Sequence, residues 1–401
     1  MATIKDFFSE KEKRQPNNEI SYKERIRAHN LRVFFVTFGT IVGVVLLVVI
    51  LNILWKDKTY TDISTVSSSD VSVVSGASTV NLKGSLLIYS KDGVSCVDSK
   101  GKAIWNESYE MQSPIVSTCG STVAIGDYNG RNIYVANNSK ILGTVKTNLP
   151  IRALAVADTG AVAAVLDDSN VIRIYIYDGN TNTDTPIVEA KATMNKSGYP
   201  ISVSLSPNGK IMMVSYLYVD SGSMKSSVSF FNFGEVGSNK VDNFVSGFDY
   251  VDTIVPFVSF MDNDSAFGIS DDRIVFFNGN EIPDAQGTAI LNEKVMAVYN
   301  STDYVGLVFL DTDGEGIYRL DVYNSAGKKL NSIDIDFEYT DILFNKDEVV
   351  IYGGNECYIT TVKGTKKFMG LLPMEVRLMI PISSYKYQLI GDNSMQIVEF
   401  N

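Results

Sequence analysis

Val171-Ile172-Arg173-Ile174-Tyr175-Ile176-Tyr177 alternates without a break and is closed by Asp178-Gly179. Ile172, Ile174 and Ile176 fall on one side of an extended chain, and Arg173, Tyr175 and Tyr177 on the other. A period of two marks a strand with one face turned to a core, and Asp-Gly is a turn pair. Shorter runs of the same texture lie on both sides, among them 86–89, 274–277 and 318–323, each ended by Gly, Asn or Asp. No amphipathic helix of useful length interrupts them from Val71 onward. The reading is an all-β domain.

A longer period is laid over the short one. Turns fall at Asp92-Gly93, Asn129-Gly130, Ser169-Asn170, Ser221-Gly222, Asp271-Asp272, Asp313-Gly314, Gly354-Asn355 and Asp392-Asn393, in steps of 37 to 52 residues. A four-stranded propeller blade takes about 40–45 residues. The spacing predicts a β-propeller of four-stranded antiparallel sheets with eight blades, seven being the alternative count and two stacked sandwiches the competing fold. The last unit, from Glu375, has room for three strands, and an early strand around Val71 to Val74 is left over. Pairing the two would close the ring and remove two exposed edges.

Ahead of the repeats, Val33 to Leu54 holds 22 residues and no charge. As a helix it reaches roughly 33 Å, enough for a hydrocarbon core of about 30 Å. Residues 33–55 are therefore read as a transmembrane helix. The tail, 1–32, carries eight basic residues against five acids, while only Lys56 and Lys58 follow closely. That asymmetry keeps the tail cytoplasmic and places the C-terminal bulk outside. The apolar run is too long for a signal peptide, and Asn52-Ile53-Leu54-Trp55 offers no small-residue cleavage site, so an uncleaved signal-anchor is expected. Residues 56–70 read as a Ser/Thr-rich stalk and 71–401 as the propeller. Gly39 and Gly43 are spaced to let two such helices dimerise through close approach.

Charge and composition exclude several classes of function. The chain has a formal charge of −11, and the part beyond the anchor has 25 basic against 40 acidic residues. Nucleic acid is no partner for such a surface. The three cysteines make no disulfide framework, and the only histidine is His29, before the membrane span. The exported part thus lacks an imidazole for a Ser-His-Asp triad, a His-ligated zinc or a general base near neutral pH. No phosphate loop occurs, and no cofactor is expected.

Two acidic groups remain as candidates. Asp311, Asp313 and Glu315 alternate around Gly314, as calcium ligands do, although a hairpin turn accounts for the same residues. Asp92, Asp127, Asp167, Asp168, Asp220, Asp271, Asp272, Asp311, Asp313 and Asp392 all sit near turns between second and third strands. In an up-and-down sheet those turns emerge on one face, giving a negative rim for a basic protein segment, a cationic wall component or divalent ions. The competing reading is that Asp is there because it makes good turns.

Asp98-Ser99-Lys100-Gly101-Lys102-Ala103-Ile104-Trp105 is similar to the D-x-x-G-K-x-x-W blade motif of quinoprotein-like propellers. The resemblance implies that Asp98, Gly101 and Lys102 belong to a hairpin and that Trp105 packs between blades. Ser206-Pro207-Asn208-Gly209-Lys210 resembles the S-P-D-G-K hairpin of WD40-like propellers. The whole layout resembles an uncharacterised family of single-pass, membrane-anchored propeller proteins of Gram-positive bacteria. It implies a non-enzymatic binding scaffold or sensor for cell-envelope or surface components. The alternative is an extracytoplasmic carboxylate-based enzyme acting on glycans.

Overall fold

The computed structural model describes residues 22–56, 58–168, 171–193, 198–220, 222–311 and 316–401. They fall into two compact units that divide after Lys58.

The first unit is helix α1 (Tyr22–Lys56). Among the described residues it is the one helix long and apolar enough to cross a membrane, and none of its apolar stretch His29–Val48 is buried. Its hydroxyls need no water: Thr37 Oγ1 donates to Val33 O and Thr40 Oγ1 to Thr37 O, both at 2.8 Å. A Cβ on Gly39 or Gly43 would meet nothing within 4 Å.

The second unit is an eight-bladed propeller of four-stranded antiparallel sheets. Blades 1 to 7 span residues 78–108, 114–146, 151–193, 199–250, 257–290, 297–335 and 341–371, each hydrogen-bonded in chain order. Blade 8 takes three strands from 378–400 and its outermost strand from Ile63–Asp70, paired antiparallel to Ser394–Phe400. First strands touch one another from blade 2 through blade 5, between blades 6 and 7, and between blades 8 and 1, around the axis. Of the turns named above, Asp92-Gly93, Asn129-Gly130, Asp271-Asp272, Gly354-Asn355 and Asp392-Asn393 join second to third strands, while Ser169-Asn170, Ser221 and Asp313-Gly314 lie outside the described residues.

The strand that closes the ring lies earlier than the sequence reading put it. Ile63–Asp70 (ISTVSSSD) falls inside the expected stalk, and Val71 and Val73 are instead buried in the linker that follows. An outermost strand has little to bury, so this one keeps serine and threonine on both sides and shows no apolar alternation. Its Thr and Val still favour extended backbone.

The core is divided among the joints between blades. Eight apolar clusters are found among the described residues, and each draws on two neighbouring blades, including blade 8 with blade 1. This corrects the half-buried reading of 171–177. Ile172, Ile174 and Ile176 pack towards blade 4, while Tyr175 and Tyr177 pack towards blade 2. Alternation here sorts residues between two neighbours, not between core and water.

Trp105 fills the joint of blades 1 and 2 among Val123, Ile125 and Ala136, and its Nε1 donates to Asn137 O at 2.8 Å. The hairpin before it is built by Asp98, whose Oδ1 accepts from the amides of Lys100 (2.8 Å) and Lys102 (2.9 Å). Those amides hold the Asp98 carboxyl below the usual carboxylate range. Gly101 has φ +82°, and a Cβ there would stand 2.5 Å from Asp70 O of the closing strand, so no side chain fits.

Candidate functional site

Antiparallel pairing brings the second-to-third-strand turns to the same face as the linkers between blades. The two are sewn together through backbone. Met111 N donates to Lys91 O (2.8 Å), Thr147 N to Arg131 O (2.7 Å), Leu291 N to Asp272 O (2.7 Å) and Val376 N to Gly354 O (2.8 Å). Val73 N donates likewise to Asp392 O at 2.9 Å. The described rim aspartates stand on this stitched face.

Most of them are engaged within the molecule. Asp127 Oδ1 accepts from Ser113 N at 2.7 Å and Gln112 N at 3.1 Å, fixing the linker into blade 2. Asp167 pairs with Arg152, whose Nε lies 2.9 Å from Oδ2. Asp168 pairs with Arg173 (2.8 Å), Asp220 with Lys225 (2.7 Å) and Asp272 with Arg273 (2.5 Å). Asp392 pairs with Arg377, and Asp271 accepts from the Thr253 hydroxyl. These pairs are substantially exposed, and solvent screening leaves them little weight in stability. Asp92 differs, since among the described residues its carboxylate has no hydrogen-bond or ion-pair partner.

The face is therefore zwitterionic. Five cations, Arg152, Arg173, Lys225, Arg273 and Arg377, stand among the acids, none of them expected at the rim from the sequence. Arg273, next to Asp272, was visible; Arg152 meets Asp167 only once the first two strands of blade 3 pair. Arg152 also lies 5.2 Å over the ring of Tyr128, which is 42% exposed. Exposed Tyr and Arg anchors of this kind carry much of the energy of protein interfaces.

Arg273, with help from Ser270 and Thr253, lowers Asp272 to about 2. A depressed acid stabilises the fold above the unfolded value of about 3.9, and that contribution is lost as pH falls from there through about 2. A carboxyl NMR titration should place the Asp272 midpoint near 2. Arg273→Gln should raise it towards about 3.9; an unmoved midpoint would show that Arg273 is not the cause.

The calcium candidates do not assemble into a described site. Asp311 Oδ2 accepts from Gly316 N at 3.2 Å, while Asp313 and Glu315 lie outside the described residues. Among the described residues no group of three or more His, Cys, Asp or Glu is placed to hold a metal ion. Cys96, Cys119 and Cys357 are free thiols.

Three further acids are set into the blades. Burial raises Asp341 above the usual range, yet it accepts from the Tyr352 hydroxyl at 3.1 Å. That hydroxyl accepts in turn from Met379 N (3.0 Å), so the relay ties blade 7 to blade 8. Burial also raises Glu348, which faces Lys367 and Lys346. Asp321, 4% exposed, accepts from Lys329 Nζ and Ser332 Oγ, both at 2.7 Å, and from Arg319 Nε at 3.3 Å. Arg319 reaches on to Glu293 at 2.7 Å. Each of these arrangements joins elements of the ring to one another.

Fold and face together define an eight-bladed propeller of four-stranded sheets with acids and bases side by side on its turn-and-linker surface. A sequence profile described as "Family of unknown function (DUF5711)" matches residues 56–400, and the chain belongs to that family. No curated protein matches it by sequence. Among solved structures it is similar to BamB from Moraxella catarrhalis, at 13% identity and a TM-score of 0.48, covering 84% of this chain and 100% of that one. It is also similar to apo AztD from Citrobacter koseri, at 9% identity and a TM-score of 0.49, covering 75% of this chain and 86% of that one.

Proposed function

We propose that the chain is a membrane-tethered, extracytoplasmic propeller that acts as a non-enzymatic binding scaffold or sensor for cell-envelope components. The observation that carries the reading is the zwitterionic turn-and-linker face with its Tyr128–Arg152 anchor, on a closed ring that follows a membrane-length helix. Closed rings hold their loops rigidly and suit docking. The basic tail before the helix favours a cytoplasmic N-terminus. The propeller also has no histidine for general acid–base work.

Intact cells treated with a membrane-impermeant lysine reagent should be labelled on propeller lysines such as Lys294 and Lys363. Lys5, Lys11 and Lys13 should react only after permeabilisation. The reverse pattern would overturn the topology, and turnover of wall glycans by the purified full chain would overturn the non-enzymatic assignment.

A further inference from the structure

Hairpins joining first to second and third to fourth strands emerge on the face opposite the turns and linkers. Their charge is divided between two halves of the ring. Across blades 7, 8, 1 and 2 they carry Lys83, Lys100, Lys102, Lys140, Lys346, Lys363 and Lys366, all exposed. Among the described residues none of these lysines forms an ion pair. The acids beside them are occupied locally: Asp98 accepts from the Lys100 and Lys102 amides, and Asp347 from the Tyr304 hydroxyl at 2.9 Å. Asp62, at the entry to the closing strand, is the exposed acid that remains there. Across blades 3 to 6 the sign reverses. There Asp184, Glu235, Asp242, Asp264, Glu281 and Asp303 are exposed, against Lys210, Lys240 and Lys328. Turn chemistry calls for Gly, Pro, Asn, Asp and Ser, so it does not account for this clustering of lysine.

The basic half-face is also where the chain enters the ring. Tyr60 N donates to Lys367 O at 2.7 Å, and Ile63 pairs with Phe400 at the hairpin end of blade 8. Helix α1 ends at Lys56, four positions before Tyr60, and four residues reach at most about 14 Å. Next to the entry, the first hairpin of blade 8 shows Ile382, 49% exposed, and Tyr385, 46% exposed. An aliphatic side chain and an amphipathic ring among lysines suit the headgroup level of a bilayer.

We infer that the hairpin face of blades 7, 8, 1 and 2 docks on the anionic phospholipid surface of the membrane that tethers the chain. Each lysine near such a surface adds to an attraction that fades beyond a Debye length of about 8–10 Å. The short entry segment holds the lysines within that reach, and Ile382 and Tyr385 enter the headgroup layer. At that level the lysines keep access to water, and the turn-and-linker face is left outward. The inference rests on the membrane-tethered reading above and adds the face and the lipid chemistry that meet.

The test uses the full chain in nanodiscs, with the photo-crosslinking residue p-benzoylphenylalanine at position 385, or at position 128 on the turn-and-linker face. In discs of phosphatidylglycerol with phosphatidylcholine, position 385 should mark lipid and position 128 should not. Phosphatidylcholine alone, or about 1 M salt, should cut the yield at position 385 about tenfold or more. Lys102→Glu with Lys346→Glu should do the same in the anionic discs. Lys210→Glu with Lys240→Glu makes the same charge change on the other half-face and should leave the yield nearly unchanged. Neither pair should shift the unfolding transition. No lipid marked at position 385, marking that ignores headgroup charge, or equal losses in the two pairs would each overturn the docking and leave the tether standing. Capture of soluble polyphosphate with no lipid marked would assign the lysines to a free polyanion instead. A chain that does not enter the discs would overturn tether and docking together.

Discussion

Deleting residues 59–70 should abolish cooperative folding of the propeller, although they look like linker and bury almost nothing. The closing strand makes seven residue pairs with Ser394–Phe400. Tyr60 N donates to Lys367 O at 2.7 Å, and the Tyr60 ring packs on Phe400 at 5.8 Å. At a net of roughly 1 kcal/mol per hydrogen bond, the loss is on the order of 5 kcal/mol, against a total stability of about 5–15 kcal/mol for a typical domain. It also exposes the edge of Ser394–Phe400. Far-UV circular dichroism with urea should show a lost or non-cooperative transition. An unchanged midpoint would mean that the ring holds without its eighth outer strand.

Asp321→Ala should cost about 1–3 kcal/mol, more than any rim aspartate is worth. Asp321 is nearly inaccessible and is the common acceptor for Arg319, Lys329 and Ser332. Its removal strands two cations around a polar cavity of about 290 Å³ in which only Glu293 remains as counter-ion. Asp168→Ala, which breaks a pair 24% and 38% exposed, should cost about 0–1 kcal/mol. Chemical denaturation of both variants decides the matter, and comparable costs would show that the buried network is no more than a surface pair.

What the sequence disclosed was whatever needs a special residue. A tight turn requires Gly, Asn or Asp, so pairs such as Asp92-Gly93 and Asp392-Asn393 marked the repeat before any strand was drawn. The Asp98 hairpin was visible for the same reason, since its geometry depends on a carboxylate and on Gly101 at positive φ. Ile63–Asp70 was hidden because hydrogen bonding to a neighbour leaves no hydropathy pattern when neither face is covered. The second covered face of 171–177 was hidden because the alternation of isoleucine with tyrosine is apolar at nearly every step. On the candidate face the acids were legible and their state was not. Asp167 and Arg152 stand fifteen residues apart and become neighbours only through strand pairing.

The lock of this ring also sets the timing of its assembly. Ser64 and Asn401, joined by a 2.8 Å hydrogen bond, are 337 positions apart. On a ribosome the strand synthesised first would wait through seven complete blades for its partner, its own unpaired edge open to other chains meanwhile. Any break in translation before residues 394–400 leaves an arc in place of a ring. The ring can therefore mature only once residues 394–400 have been made.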